Sequence, residues 1–251
     1  MRTNVTLRGP PAALPCGRMA VRVDIVSIGT LSRNRLWGEA APVRTPHATT
    51  TLVRASGDDG AERERRILVD PGLPGPALAA RLFERTGLRP DDVDAVFLTC
   101  FRPAHRDALP LFRNARWLMH PIEREAVGEH LAELADRSSD GEVREAVGRE
   151  LDLLRRVREP EGDKLAPQVD LFPLPGYTPG TCGLLIAEAA ATTLIAGDAV
   201  PTRDHLLAGQ VLADAFDKDR ALESLREVYE IADTIVPGHD NVFANPRSYG
   251  G

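Results

Sequence analysis

The chain is poor in cysteine, has no surplus of basic charge and contains no long apolar run, and each shortage removes a class of function. Three cysteines in 251 residues, Cys16, Cys100 and Cys182, are too few for a disulfide framework, and no Cys-x-x-Cys pair occurs. A net charge of −6 leaves no basic excess to neutralise phosphates, which argues against nucleic acid as a partner. Without a run of about 18 apolar residues, no membrane-spanning helix is expected. Residues 1–19 carry Arg2, Arg8 and three prolines but no apolar segment. They read as a flexible extension and not as a signal peptide, with Met19 as an alternative start, and the expected setting is a reducing cytoplasm. No Gly-x-Ser-x-Gly elbow, no Gly-x-x-x-x-Gly-Lys loop and no tandem repeat is present.

What remains is a composition of 43% apolar and 27% charged residues, that of a globular domain, here expected over residues 20–251. Val21–Leu31 alternates in its first half and predicts a strand, as do Thr49–Ala55 and 66–70, the latter two joined by a Gly/Asp-rich loop at 56–64. Ala77–Thr86 predicts a short helix stopped by Gly87. The apolar run 93–99 predicts a buried strand that breaks into a polar loop carrying Cys100, Arg102 and His105. A strand at 116–120 and a helix from about Ile122 to Leu134 follow. Asp136–Gly141 reads as a linker, and Val143, Val147, Leu151, Leu154 and Val157 mark one face of a second helix. Residues 136–164 are therefore expected to be a helical insertion that caps the site, mediates a homodimer, or simply packs on the surface. A strand at 169–174, a hairpin of 184–188 with 192–196, a helix striped by Leu222, Leu225, Val228, Tyr229 and Ala232, and a last strand near 234–237 complete the pattern.

Four motifs recur in a fixed order: Leu68-Val-Asp-Pro-Gly72, the loop 98–105, Pro175–Gly183 with Gly197-Asp198, and Pro237-Gly-His-Asp240. Together they resemble the metallo-β-lactamase superfamily. The resemblance implies an α/β (α+β) fold, a four-layer αββα sandwich of two mixed sheets with helices outside. It also implies a metal cage and a hydrolase. In that family the loop reads Thr-His-x-His-x-Asp-His; here it is Thr99-Cys100-Phe101-Arg102-Pro103-Ala104-His105. Carried over by position, the first metal meets Cys100, Arg102 and Thr181. The second meets Ala104, His105 and His239, and the bridging position is Asp198. An arginine cannot deprotonate and repels a dication, so the first site is expected to be lost. His105, Asp198 and His239 remain as two imidazoles and a carboxylate, a set able to hold one zinc, with iron as the alternative.

The same residues have plainer readings. Asp198 is either a ligand or a helix N-cap. Cys100 is a thiolate ligand or a small buried filler. Arg102 either fills the first metal's place and pairs with Asp198, grips an anionic substrate, or points to solvent. Tyr177 supports the site or packs, and Asp70 orients a ligand or caps a turn. His47, His120, His130 and His205 match no motif and are expected to be structural or exposed. Two functions follow. One is a hydrolase of a small ester, lactone, amide or thioester using a single metal, with His105 and Asp198 as its catalytic pair. The other is a metal-free, non-catalytic protein that binds a small anion through Arg102.

Overall fold

The computed structural model describes residues 21–55 and 64–249. The 1–19 extension, Cys16 and nearly all of the 56–64 loop lie outside the described residues. Eleven strands form two sheets among the described residues. The first holds β1 (Arg22–Ser27), β2 (Thr50–Ala55), β3 (Arg65–Val69), β4 (Ala95–Leu98) and β5 (Arg116–Met119), in that order. The pairs β3/β4 and β4/β5 are parallel and the others antiparallel. The second holds β6 (Lys164–Ala166), β7 (Val169–Pro173), β8 (Cys182–Ala187), β9 (Thr192–Gly197), β10 (Thr234–Pro237) and β11 (Phe243–Ala244). Only β9/β10 is parallel in it.

Strand alternation assigns each side chain to one of three apolar layers. Val53, Ile67, Val69, Ala95 and Phe97 of the first sheet meet Val169, Leu184, Ile186, Ile195 and Val236 of the second in the central layer. Their neighbours Leu52, Leu68, Val96 and Leu98 face the other way, onto Leu78 and Leu82 of α1 (Gly75–Thr86). Leu194, Ala196 and Ile235 face Leu225 and Val228 of α6 (Lys218–Ile231). Helix, sheet, sheet and helix therefore lie in four layers, the αββα sandwich expected from the motifs. Asp217 caps α6 by accepting from the backbone N–H of Asp219 and Arg220.

Several element bounds differ from the sequence reading. The first strand ends at Ser27, and Thr30 keeps only a bridge to His47. Helix α3 (Pro121–Arg137) runs into the expected linker, which shrinks to 138–140 before α4 (Gly141–Arg156). Leu131, Val147, Leu154 and Val157 join the core layer beside α1, so α3 and α4 are packed as an antiparallel pair against the first sheet. Four short elements carried too little pattern to be expected: α2 (Pro103–Arg106), α5 (Arg203–Ala208) and the strands β6 and β11 at the two edges of the second sheet. No helix among the described residues is long and apolar enough to cross a membrane.

The topology also explains why the four motifs meet. Parallel pairing of β3 with β4 brings Asp70 and Thr99 to one end of the first sheet. Parallel pairing of β9 with β10 sets Gly197 opposite Pro237, so Asp198 and His239 leave the second sheet at one end. The Cys182 N–H donates to the Thr99 carbonyl at 3.0 Å, joining those two ends.

Candidate metal centre

His105 lies on the single turn α2 and is fully buried. Its Nδ1 is 3.0 Å from Oδ2 of Asp70, and its Nε2 is 3.0 Å from Oδ2 of Asp198. Asp70 also accepts from Thr99, from the backbone N–H at 2.9 Å and from the hydroxyl at 2.6 Å, so its carboxylate is fixed before it meets the imidazole. It does so from a left-handed backbone, φ 50, a conformation that aspartate tolerates better than most residues.

His239 follows the tight Pro237-Gly238 turn. Its Nδ1 lies 3.1 Å from the Thr30 carbonyl and 3.0 Å from the His47 carbonyl, two acceptors that require a hydrogen on that nitrogen. Its Nε2 faces Oδ1 of Asp198 at 3.1 Å. A Cβ on Gly238 would collide with that oxygen, which is why only glycine lets the turn come so close. The two imidazole rings stand edge to face, centroids 5.6 Å apart.

Three predicted residues therefore converge: His105, Asp198 and His239. Asp198 caps no helix; α5 is capped by Thr202. Burial alone would raise the Asp198 pKa, but the charges of His239 and then His105 hold it well below the usual carboxylate range. Burial likewise works against a charged His105, yet the pull of Cys100, Asp198 and Asp70 keeps its pKa well above 6.5. Because burial pushes the Cys100 thiol up to about 11, the two carboxylates carry that effect at neutral pH.

Of the three readings of Arg102, the pairing with Asp198 is not the one the structure takes. Arg102 makes no ion pair with Asp198; its side chain is exposed and its guanidinium lies 5.3 Å from the Tyr177 ring centre. The reason is local geometry: Arg102 precedes the α2 turn in an extended conformation, while the turn itself carries His105 inward. Tyr177 is buried beneath it, and burial raises the phenol pKa, so its hydroxyl keeps its proton. Thr181 is turned into its own loop, its hydroxyl 2.6 Å from that of Thr178. Ala104 contributes only its carbonyl, which accepts from Ala48 at 2.8 Å. Cys100 is buried with its sulfur beside the centre: one donor atom each from Cys100, His105 and Asp198 lies within 4.8 Å of the others.

Two side chains that no motif signalled hold this arrangement. Glu123, buried on the first turn of α3, accepts from the backbone N–H of Phe101 at 3.0 Å and of Gly180 at 3.1 Å, tying the 98–105 loop to the 175–183 loop. Arg106 donates to the Phe101 carbonyl at 2.8 Å, stacks on the Phe101 ring and pairs with Glu150 of α4. His205, expected to be structural or exposed, is buried on α5 with Nδ1 2.8 Å from the Thr202 hydroxyl.

The donor set fits a divalent cation. Both histidines have their Nδ1 engaged by acceptors, the arrangement that orients a metal-binding imidazole and leaves Nε2 as the donor. Oδ1 of Asp198 is buried and makes no hydrogen bond, although His239 Nε2 lies 3.1 Å from it. A buried carboxylate oxygen without a donor is costly unless a cation meets it.

A family model described as the metallo-beta-lactamase superfamily matches residues 47–239, which hold all three converging side chains. No curated protein matches the chain by sequence. Among solved structures, a Thermotoga maritima protein assigned to the metallo-beta-lactamases superposes with a TM-score of 0.63 at 20% identity, covering 90% of this chain and all of that one. A B. thuringiensis AiiA variant with N-decanoyl-L-homoserine at its active site gives 0.58 at 21% identity, over 88% of this chain and 94% of that one. AidC, a dizinc quorum-quenching lactonase in complex with its product, gives 0.58 at 15% identity, over 76% and 72%. The family match spans well over half of the sequence, and the two mixed sheets have the fold it requires: the chain belongs to the metallo-beta-lactamase superfamily.

Proposed function

We propose that the protein is a metal-dependent hydrolase of small lactones or esters that works with one cation held by His105, Asp198 and His239. The observation that carries this reading is the convergence of two pre-oriented Nε2 atoms on one carboxylate, at 3.0 and 3.1 Å, with Oδ1 lacking a donor. Bound there, zinc would polarise an acyl carbonyl and bring the pKa of a water to about 7.

The chain's own residues supply the rest. Asp70 and the carbonyls of residues 30 and 47 hold the imidazoles in one tautomer and one orientation. Asp198 has a second oxygen with which to take the proton of an attacking water and return it to the leaving oxygen. Tyr177, still protonated, can donate to the substrate's developing oxyanion. Arg102, exposed beside it, can grip an anionic group of substrate or product. Lactone substrates are favoured because three of the structural neighbours are described with an N-acyl-homoserine bound. AidC is described as dizinc, whereas here Arg102, Thr181 and Ala104 leave three of the usual ligand positions without a metal-binding side chain.

A second reading rests on Arg102 itself. Exposed and making no ion pair within 4 Å among the described residues, it would suit a metal-free protein that binds a small anion. One experiment separates the two: hydrolysis of a panel of N-acyl-homoserine lactones and aryl esters by protein carrying one zinc. We expect turnover on at least one substrate, lost with chelator and in H239A and D198A. Turnover that survives chelator, or none from zinc-loaded protein, would count against the hydrolase. Citrate-induced thermal stabilisation that R102A abolishes and chelator leaves intact would favour the anion-binding protein.

A further inference from the structure

We propose that Cys100 is itself a ligand of this cation, supplying a thiolate beside His105 and Asp198, so that the site is of the mixed sulfur, nitrogen and oxygen type and selects zinc over iron(II), manganese or magnesium. This rests on the metal-binding reading above and adds to it the chemistry of the first coordination shell.

Position in sequence alone argues weakly for Cys100, because a neighbouring Arg102 would repel the cation. The structure removes that objection. Arg102 turns outward onto Tyr177, while Cys100 turns inward with no exposed surface. Donor atoms of Cys100, His105 and Asp198 all lie within 4.8 Å of one another, close enough to share one ion after small side-chain rotations. The alternative, a cysteine serving only to fill apolar space, does not match its surroundings. Cys100 belongs to none of the three apolar clusters, whereas Cys182, equally buried, packs in the layer between the sheets. The donorless oxygen of Asp198 is a second, independent sign that a cation belongs at this spot.

The binding step balances simply. The thiol proton and the proton that His105 shares with Asp198 leave to solvent as the sulfur–metal and nitrogen–metal bonds form, and a dication with one thiolate, one carboxylate and neutral imidazoles is neutral overall. Soft sulfur donors favour zinc, and cobalt(II) and cadmium as its probes, over the harder divalent ions. A thiolate also donates more charge than the histidine it replaces, so it offsets the ligands lost at positions 102, 104 and 181.

Cobalt(II) substitution tests this directly. Protein loaded with one cobalt should show a near-ultraviolet thiolate-to-cobalt charge-transfer band that is present in C182S and absent in C100S and C100A. Circular dichroism checks that the variants are folded. Zinc absorption spectroscopy on the unaltered chain, which needs no variant, should show a sulfur neighbour at about 2.3 Å. Cobalt bound with visible bands but no charge-transfer band, or a band that persists in C100S, would overturn the sulfur ligand and leave the metal reading standing. Failure of the folded protein to bind cobalt or zinc at all would overturn both.

Discussion

Asp198 stands between two imidazoles whose outer nitrogens are already committed, His105 to Asp70 and His239 to backbone carbonyls. Removing that outer support should be felt at the centre. Asp70→Asn is expected to weaken zinc binding 10- to 100-fold, as read by calorimetric titration, while the fold persists. Glu123 has a different duty. Its replacement by alanine leaves two buried backbone N–H groups without acceptors, for an expected loss of about 3 kcal/mol in urea unfolding, with Glu123→Gln costing less. His205 gives a pH dependence of stability. Burial lowers its pKa below 6.5. Between the two values the unfolded chain binds the extra proton, so stability is full above about 6.5 and declines as pH falls. His205→Gln should flatten that part of the curve of melting temperature against pH. At this scale the sequence was legible where a motif names a residue: His105, Asp198, His239 and Asp70 stand together. Glu123 and Arg106 were not, because their partners are backbone groups and a distant helix, which leave no local spacing to read. The direction of Arg102 stayed open among three readings because a one-residue change of direction at the α2 turn decides whether a side chain faces the centre or the rim.

The elements that carry these residues are strand ends and short turns, and they are braced from outside. Arg106 links the site loop to α4 through Glu150, with its guanidinium on the Phe101 ring. Arg106→Ala should cost about 2 kcal/mol, from lost packing and a lost hydrogen bond as well as charge. Glu150→Ala, at a partly exposed position, should cost well under half of that. Equal losses in the two denaturation curves would show that the ion pair alone does the bracing. The long elements were legible because two periods dominate them: alternation at β2 and β3 and a three-four spacing along α4 and α6. Single-turn α2, six-residue α5 and the rim strands β6 and β11 are too short to establish either period. Their conformations are set by neighbours: β6 by pairing with β7, and α5 by the Thr202 cap.

At the scale of the whole molecule, two sheets assembled from distant parts of the sequence deliver one buried cluster of side chains. Residues 70, 105, 198 and 239 are joined only when both parallel pairs and the face-to-face packing are in place. Metal binding should therefore stabilise the entire fold, not a single loop. Zinc at about 100 times its dissociation constant adds about 2.7 kcal/mol, and the thermal transition should rise as one cooperative step. The order of the motifs made this architecture legible from sequence, whereas the chemistry left after the ligand substitutions depends on side-chain directions that only the folded chain sets. Its most direct test is the zinc content of protein equilibrated with excess zinc and freed of unbound metal by gel filtration. The account predicts about one zinc per chain, falling to near zero in H239A and D198A; a wild-type value below about a tenth of an equivalent would contradict it.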